Sequence, residues 1–192
     1  CQLLFSTATL PPTSDGLTQP VISLAPQVTP LGRFRLSYED CAMTASDIVE
    51  RALQCRTRSG STAIVLNSVR DTATVYRLLK RHVEHPMLYC LTAAMLASHK
   101  AATIDLIREQ LQAKQPVVVV CTQILEAGVN LSFQMILRAL PILPSIVQVA
   151  GRANRHGEGA RGTVVIFPFR REDRRDSRPF VYRDETARRQ TD

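Results

Sequence analysis

Pro116-Val117-Val118-Val119-Val120-Cys121-Thr122-Gln123 is the stretch from which the fold can be read. Five apolar residues follow Pro116 without alternation. A strand with one wet face would alternate, so this one is covered on both faces and central in a parallel sheet. Upstream, Ile104, Ile107 and Leu111 share one helical face, with Ser98 as a candidate cap. Before that helix, residues 87–91 read as a strand. Val69, Ala73, Tyr76, Leu79 and Val83 recur at helical spacing, with His85-Pro86 as the stop. Residues 63–66 read as another strand, preceded by a helix from Ser46-Asp47 to about Arg56 with Gly60 just beyond it. Residues 33–38 alternate like a half-exposed strand. Downstream, a strand at 135–137, a helix at 145–154 and a strand at 163–167 complete the pattern. Alternating strands and helices predict an α/β fold with a mostly parallel central sheet flanked by helices. Ligands of such sheets gather at the carboxyl ends of the strands, here just after Leu66, Leu91 and Cys121.

The chain has 192 residues, 45% of them hydrophobic, enough for one substantial core. No run of 18 apolar residues occurs, so no membrane span or membrane partner is expected. The opening Cys1-Gln2-Leu3-Leu4-Phe5 lacks an initiator Met and a signal-like segment. An internal piece of a longer protein is therefore expected. Residues 3–8 read as a short buried strand, and 11–32, rich in Pro, Thr, Ser and Gly, as a linker or long loop. The five cysteines, Cys1, Cys41, Cys55, Cys90 and Cys121, include no C-x-x-C pair. A disulfide framework is not expected, and a reducing cytosol suits the chain. The net charge is +7; residues 169–192 hold eight Arg against six acids, leaving +5 for the rest. A basic body favours a polyanionic partner. The segment 170–192 reads as a charged, solvated tail or the start of a further domain.

Chemistry concentrates in Gln148-Val149-Ala150-Gly151-Arg152-Ala153-Asn154-Arg155-His156-Gly157. On one continuous helix, Gln148, Arg152 and Arg155 would share a face. Gly151 would let another group approach the backbone between them. Two guanidinium groups on one face repel unless an anion lies between them, and planar guanidinium pairs well with phosphate. Thr122 offers a hydroxyl and Gly128 an unobstructed backbone just after the central strand, both suited to gripping a phosphate. Asn67 and Ser68 end a neighbouring strand and could grip the next one. Loop or helix-cap chemistry is the plainer reading of Thr122 or Ser68 taken singly. His99 and His156 have no convincing partners, and no metal constellation is visible. No G-x-x-x-x-G-K-[ST] loop and no D-E-x-[DH] box occur, so nothing here would cradle a β-phosphate or hold magnesium.

The Q-x-x-G-R-x-x-R pattern of Gln148, Gly151, Arg152 and Arg155 resembles motif VI of superfamily 2 helicases. The other signals follow in order. Residues 122–130, Thr122-Gln123-Ile124-Leu125-Glu126-Ala127-Gly128-Val129-Asn130, resemble motif V. Residues 62–68, ending in Asn67-Ser68, resemble motif IV, and Phe5-Ser6-Thr7-Ala8-Thr9-Leu10-Pro11 resembles motif III. The stretches at Leu91-Thr92 to His99-Lys100, Thr122-Gln123 with Glu126-Ala127-Gly128, and Ala150-Gly151-Arg152-Ala153-Asn154-Arg155 are similar to the type I CRISPR-associated helicase-nuclease. Val149 and Asn130 depart from the Arg and Asp usual at those places.

The resemblance implies a RecA-like (P-loop NTPase-like) second helicase lobe at 33–169. Residues 1–32 would then be the end of the first lobe and a linker. It implies ATP and Mg2+, held mainly by a first lobe, with Arg152 and Arg155 as catalytic arginines toward the γ-phosphate. Gln148, Gly151, Gly128 and Asn130 would bind ATP. Asn67, Ser68, Thr122 and Gln123 would bind single-stranded DNA, and Thr7, Thr9 and Glu126 would couple the lobes. The implied partners are single-stranded DNA, an RNA-guided CRISPR surveillance complex, and the first helicase lobe and HD nuclease domain of the same protein, in a prokaryotic cytoplasm. This chain alone would hydrolyse no ATP. An RNA helicase or DNA-repair helicase lobe, or a degenerate lobe that binds without turnover, stays open as an alternative.

Overall fold

A strand of four valines needs cover on both faces, and the computed structural model supplies it. The structure describes residues 32–83, 87–126, 129–157, 160–173, 178–183, 185–189 and 191, and the fold is that of the unit Arg33–Asp192. Thr7 and Thr9, the strand expected at 3–8, the linker up to residue 31, the stop at His85-Pro86 and Gly128 lie outside the described residues.

The elements run β1 (Phe34–Tyr38), α1 (Ala45–Ser59), β2 (Ser61–Val65), α2 (Val69–Leu79), β3 (Leu88–Leu91), α3 (Ala97–Gln112), β4 (Val117–Cys121), β5 (Met135–Ala139), α4 (Leu143–Ala150) and β6 (Gly162–Phe167). Two short helices, α5 (Arg178–Val181) and α6 (Glu185–Arg189), follow. The six strands form one sheet in the order β1-β6-β5-β2-β4-β3. All of its pairings are parallel, so the α/β expectation holds.

The side chains of β4 divide the core. Val117, Val119 and Cys121 face Ile107 of α3 and Val149 and Ala150 of α4. Val118 and Val120 face Ile48 and Ala52 of α1 and Val75 and Leu79 of α2. Each fully buried valine is worth roughly 1.5–3 kcal/mol relative to exposure, which explains why both faces stay apolar. The buried thiol of Cys121 is pushed far above its ordinary range by desolvation, and such a thiol is inert.

Helix boundaries differ from the sequence reading where capping was misjudged. Helix α1 starts two residues before Asp47, because Thr44 is the cap: its hydroxyl accepts from the Asp47 N–H, and the Asp47 carboxylate accepts from the Thr44 N–H. Ser98 does not cap α3, which begins after Leu96 without a side-chain cap. Helix α4 begins at Leu143, with Pro144 in its first turn, and ends at Ala150 rather than 154.

Several described residues of the segment 170–192 are tied to the lobe. Arg171 pairs with Asp71 at 2.6 Å, the Tyr182 hydroxyl accepts from Arg138 at 2.7 Å, and the Thr191 hydroxyl accepts from the Leu143 N–H at 3.0 Å. The solvated tail was inferred from charge density; here part of that charge is neutralised against the lobe instead.

Candidate functional site

At the carboxyl ends of the strands, parallel pairing brings the loops after β2 and β4 together. The Leu66 N–H donates to the Cys121 carbonyl at 2.9 Å, and the Thr122 N–H to Leu91 at 3.1 Å. Asn67, Ser68, Thr122 and Gln123 are therefore neighbours, as expected. Much of their hydrogen-bonding capacity is turned inward, however. Asn67 is buried, its Nδ2 donating to the Leu140 carbonyl at 3.0 Å and its Oδ1 accepting from Arg138 at 2.7 Å. Ser68 caps α2 by accepting from the Asp71 N–H at 3.1 Å, and its Oγ also meets Arg171 at 3.1 Å. Gln123 Nε2 donates to the Asn67 carbonyl at 3.2 Å and stands 3.5 Å from the Tyr182 hydroxyl. Thr122 is buried.

Arg138 organises this end, and the sequence reading passed over it by stopping the strand at 137. Its side chain is fully buried and donates to the carbonyls of Val65 at 3.3 Å and Ala139 at 2.9 Å, to Asn67 and to Tyr182. Glu126 supplies the countercharge at 2.9 Å. Burial pushes the Glu126 carboxyl above its ordinary range, opposed by the Arg138 charge and a hydrogen bond from Ser145. The available signal was a lone Arg in an otherwise apolar strand, since a buried charge requires a partner.

Of the motif VI residues, Asn154 and Arg155 lie toward the opposite end of the sheet, while the Arg152 side chain reaches back to the loop after β4. Helix α4 runs back from the end of β5 and stops at Ala150, so Arg152 and Arg155 do not share one helical face with Gln148. The chain leaves the helix at Gly151, pairs Ala153 with Phe133 just before β5, and turns at Asn154 with φ of 42°. Asn154 Nδ2 pins that turn by donating to the Arg33 and Ala160 carbonyls at 3.2 Å each. The start of β6 presses against it: a Cβ on Gly162 would stand 3.1 Å from both Cβ and N of Asn154. The Arg155 N–H donates to Ser132 Oγ at 2.9 Å, and Arg33 donates to the Arg155 carbonyl at 2.8 Å.

Both guanidinium groups remain in one neighbourhood. Desolvation lowers the Arg152 pKa, and the nearby Arg155 charge lowers it further. Arg152 Nη2 donates to the Glu126 carbonyl at 3.1 Å, while its buried Nε has no partner among the described residues. Gly151 has an ordinary helical φ of −63°, and an added Cβ there would meet the Gln148 carbonyl at 3.4 Å and the Val147 carbonyl at 3.7 Å. A cavity of about 730 Å3 opens beside this turn, lined by Ser61, Lys114, Asn130, Ser132, Asn154 and His156. Asn130, Asn154 and Arg155 thus sit near the amino ends of the strands, whereas sheet topology alone had pointed to the carboxyl ends.

The family profile described as "CRISPR-associated nuclease/helicase Cas3, C-terminal" matches residues 58–158, more than half of the chain. The chain belongs to this family. Its Cas3 relatives include the "CRISPR-associated nuclease/helicase Cas3" of Methanothermobacter thermautotrophicus, 29% identical over 116 residues that cover 59% of this chain and 14% of that protein. The Haloferax volcanii Cas3 is 48% identical over 54 residues, 27% of this chain and 6% of that protein. The chain thus matches a small part of the length of these relatives. Among solved structures, T. fusca Cas3-ATP has a TM-score of 0.59 at 19% identity, covering 70% of this chain and 18% of that one. The C-terminal domain of the DEAD-box protein Dbp5 has a TM-score of 0.57 at 21% identity, over 72% and 78%. The shared fold is the RecA-like α/β lobe. The range matching Cas3 runs from the end of α1 to just past Arg155, so it takes in both groups of candidate residues. Among the described residues, no helix is long and apolar enough to cross a membrane. No cluster of three or more His, Cys, Asp or Glu among them could hold a metal ion.

Proposed function

We propose that this chain is the second motor lobe of an ATP-dependent DNA helicase or translocase acting in CRISPR interference. The observation that carries the reading is the pair Arg152 and Arg155, held near each other despite mutual repulsion, with a buried Arg152 Nε that has no partner among the described residues. A triphosphate fits the local positive charge. Arg152 and Arg155 would stabilise charge on the γ-phosphate during transfer to water. Gln148 and Asn130 would line the nucleotide cleft with Gly128. Gly151 would admit close approach of the nucleotide or of the facing lobe, since nothing within this lobe demands a glycine there. Among the described residues no acidic cluster fits magnesium, so Mg2+ and the β-phosphate would be held by a first lobe carrying a phosphate loop. Thr7 and Thr9 would couple to that lobe. This chain alone would therefore be inactive.

At the other end of the sheet, Gln123, Ser68 and the backbone of the loops carrying the buried Asn67 and Thr122 would face the phosphates of single-stranded DNA. Backbone contacts suit a motor that steps along any sequence. The T. fusca Cas3 solved with ATP and the Mycobacterium smegmatis helicase Lhr solved with ssDNA and AMP-PNP, at 21% identity, share the fold and support the choice of ligands. An RNA-guided surveillance complex and an HD nuclease domain in the same protein would complete the assembly, in the cytoplasm of a prokaryote.

The test is ATP turnover by a protein carrying this lobe with the first, measured alone, with single-stranded DNA and with single-stranded RNA. Stimulation by DNA is expected. Arg155→Ala or Arg152→Ala should lower kcat by about 10³-fold or more. Stimulation by RNA alone would overturn the DNA assignment, and unchanged turnover in both variants would overturn the arginine assignment.

A further inference from the structure

Between the two ends of the sheet runs a continuous chain of polar contacts through the interior, centred on residues outside the motifs' expected ligand contacts. Arg138 reaches the carboxyl end through Asn67 Oδ1 at 2.7 Å and the Val65 carbonyl at 3.3 Å. Its second terminal nitrogen stands 2.9 Å from the Glu126 carboxylate. Glu126 in turn touches the segment that carries the arginines: its carbonyl accepts from Arg152 Nη2 at 3.1 Å, just past the last turn of α4. Gln123, near the start of the same loop, donates to the Asn67 carbonyl.

We propose that Arg138 is a positioning residue that couples the strand-binding end of the lobe to the catalytic arginine, by fixing Glu126 and through it Arg152. The inference rests on the reading of Arg152 given above. Three features favour a transmitting role over simple core filling. A buried ion pair is weak as a stabiliser, because desolvation offsets much of its attraction. The guanidinium fork bonds four different elements of chain at once, so a shift of Asn67 or of the loop after β4 must move Glu126. Finally, Arg152 has one firm anchor among the described residues, the Glu126 carbonyl. A displacement of that carbonyl therefore reorients the guanidinium directly, and couplings of this kind reach about 5–150-fold.

The experiment uses the intact two-lobe protein and measures kcat and KM for ATP with and without saturating single-stranded DNA, together with DNA affinity and Tm. Arg138→Lys keeps a cation beside Glu126 but removes the fork. The ratio of DNA-stimulated to unstimulated kcat should fall by about tenfold, while KM for ATP and DNA affinity stay within about threefold. A residue that merely fills the core would lower stimulated and unstimulated turnover in the same proportion, and that outcome overturns the proposal. If Arg138→Lys fails to fold, Glu126→Gln, nearly isosteric, is read by the same ratio; an unchanged ratio there also overturns it. Arg152→Ala, run in parallel, separates the two readings. Loss of turnover in Arg152→Ala with a normal ratio in Arg138→Lys sinks only the coupling. Unchanged turnover in Arg152→Ala sinks the reading beneath it.

Discussion

A single arginine in an apolar strand illustrates what residue chemistry can and cannot announce. Arg138 was legible as an anomaly, since Met135-Ile136-Leu137 and Ala139-Leu140 flank it with apolar side chains. Its partners were not legible. Glu126, Asn67 and Tyr182 lie 12, 71 and 44 residues away, and neither spacing nor periodicity links them. Removing one partner of a buried pair leaves an uncompensated charge, so Arg138→Met should cost about 3–5 kcal/mol in urea unfolding. The deficit should depend on pH. Burial already raises the Glu126 carboxyl above its ordinary 4.5, so this group stabilises the fold most below that value and loses that contribution as pH rises through its folded pKa. Without the opposing Arg138 charge the folded pKa climbs further. The difference between variant and parent should then be smaller at pH 5 than at pH 8, changing by at most about 1.4 kcal/mol per pH unit. A deficit that grows on acidification would contradict this account.

Elements were read more securely than their ends. Unbroken apolar runs and 3.6-residue spacing identified all six strands and four main helices of the lobe, because core burial dominates both signals. Ends depend on individual hydrogen bonds. The Thr44 cap was overlooked because Ser46 lies nearer the helical period, although the Thr-x-x-Asp spacing of a capping box was present. Thr44→Ala should cost about 1 kcal/mol in thermal or urea unfolding, whereas Ser46→Ala should be nearly neutral. The premature end of α4 has a different cause. Continuing the helix past Gly151 would forfeit the Phe133–Ala153 pairing and the Asn154 bonds to Arg33 and Ala160. These are long-range contacts that outweigh local helical preference. Arg152 and Arg155 thus lie on a turn rather than on a helix face. Gly162→Ala would place a methyl 3.1 Å from that turn. Overpacking of this kind costs about 1–3 kcal/mol. Since the displaced turn carries Arg155, the substitution should also lower kcat for ATP more than it weakens DNA binding, as paired turnover and binding measurements would reveal.

Across the described residues, Asn67, Ser68, Thr122 and Gln123 sit at the carboxyl ends of one parallel sheet, and Asn130, Asn154 and Arg155 toward its amino ends. The rule that ligands gather at the carboxyl ends of strands points to the first of these groups alone, because the return path of α4 carries Asn154 and Arg155 back toward the start of β5 and β6. The separation predicts independent defects. Gln123→Ala should weaken single-stranded DNA binding roughly fivefold, the loss expected of about 1 kcal/mol, while leaving KM for ATP unchanged. Arg155→Ala should do the reverse, abolishing turnover at unchanged DNA affinity. Equal loss of both functions in either variant would argue against two separate ends.

The strand order carries a further consequence, for the chain as it is made. β1 is an edge strand whose neighbour is β6, and Ser37 meets Val164 across 127 residues of chain. A ribosome adding about 5–20 residues each second needs roughly 6–25 s to supply that neighbour. During that interval β2 to β5 can assemble around their own helices while Phe34, Leu36 and Tyr38 wait without a pairing strand. The emerging lobe thus has a defined window of vulnerability that closes only when Gly162–Phe167 leaves the exit tunnel. A nascent chain arrested before residue 162 should be cut by protease near β1 while its valine-rich centre is already protected.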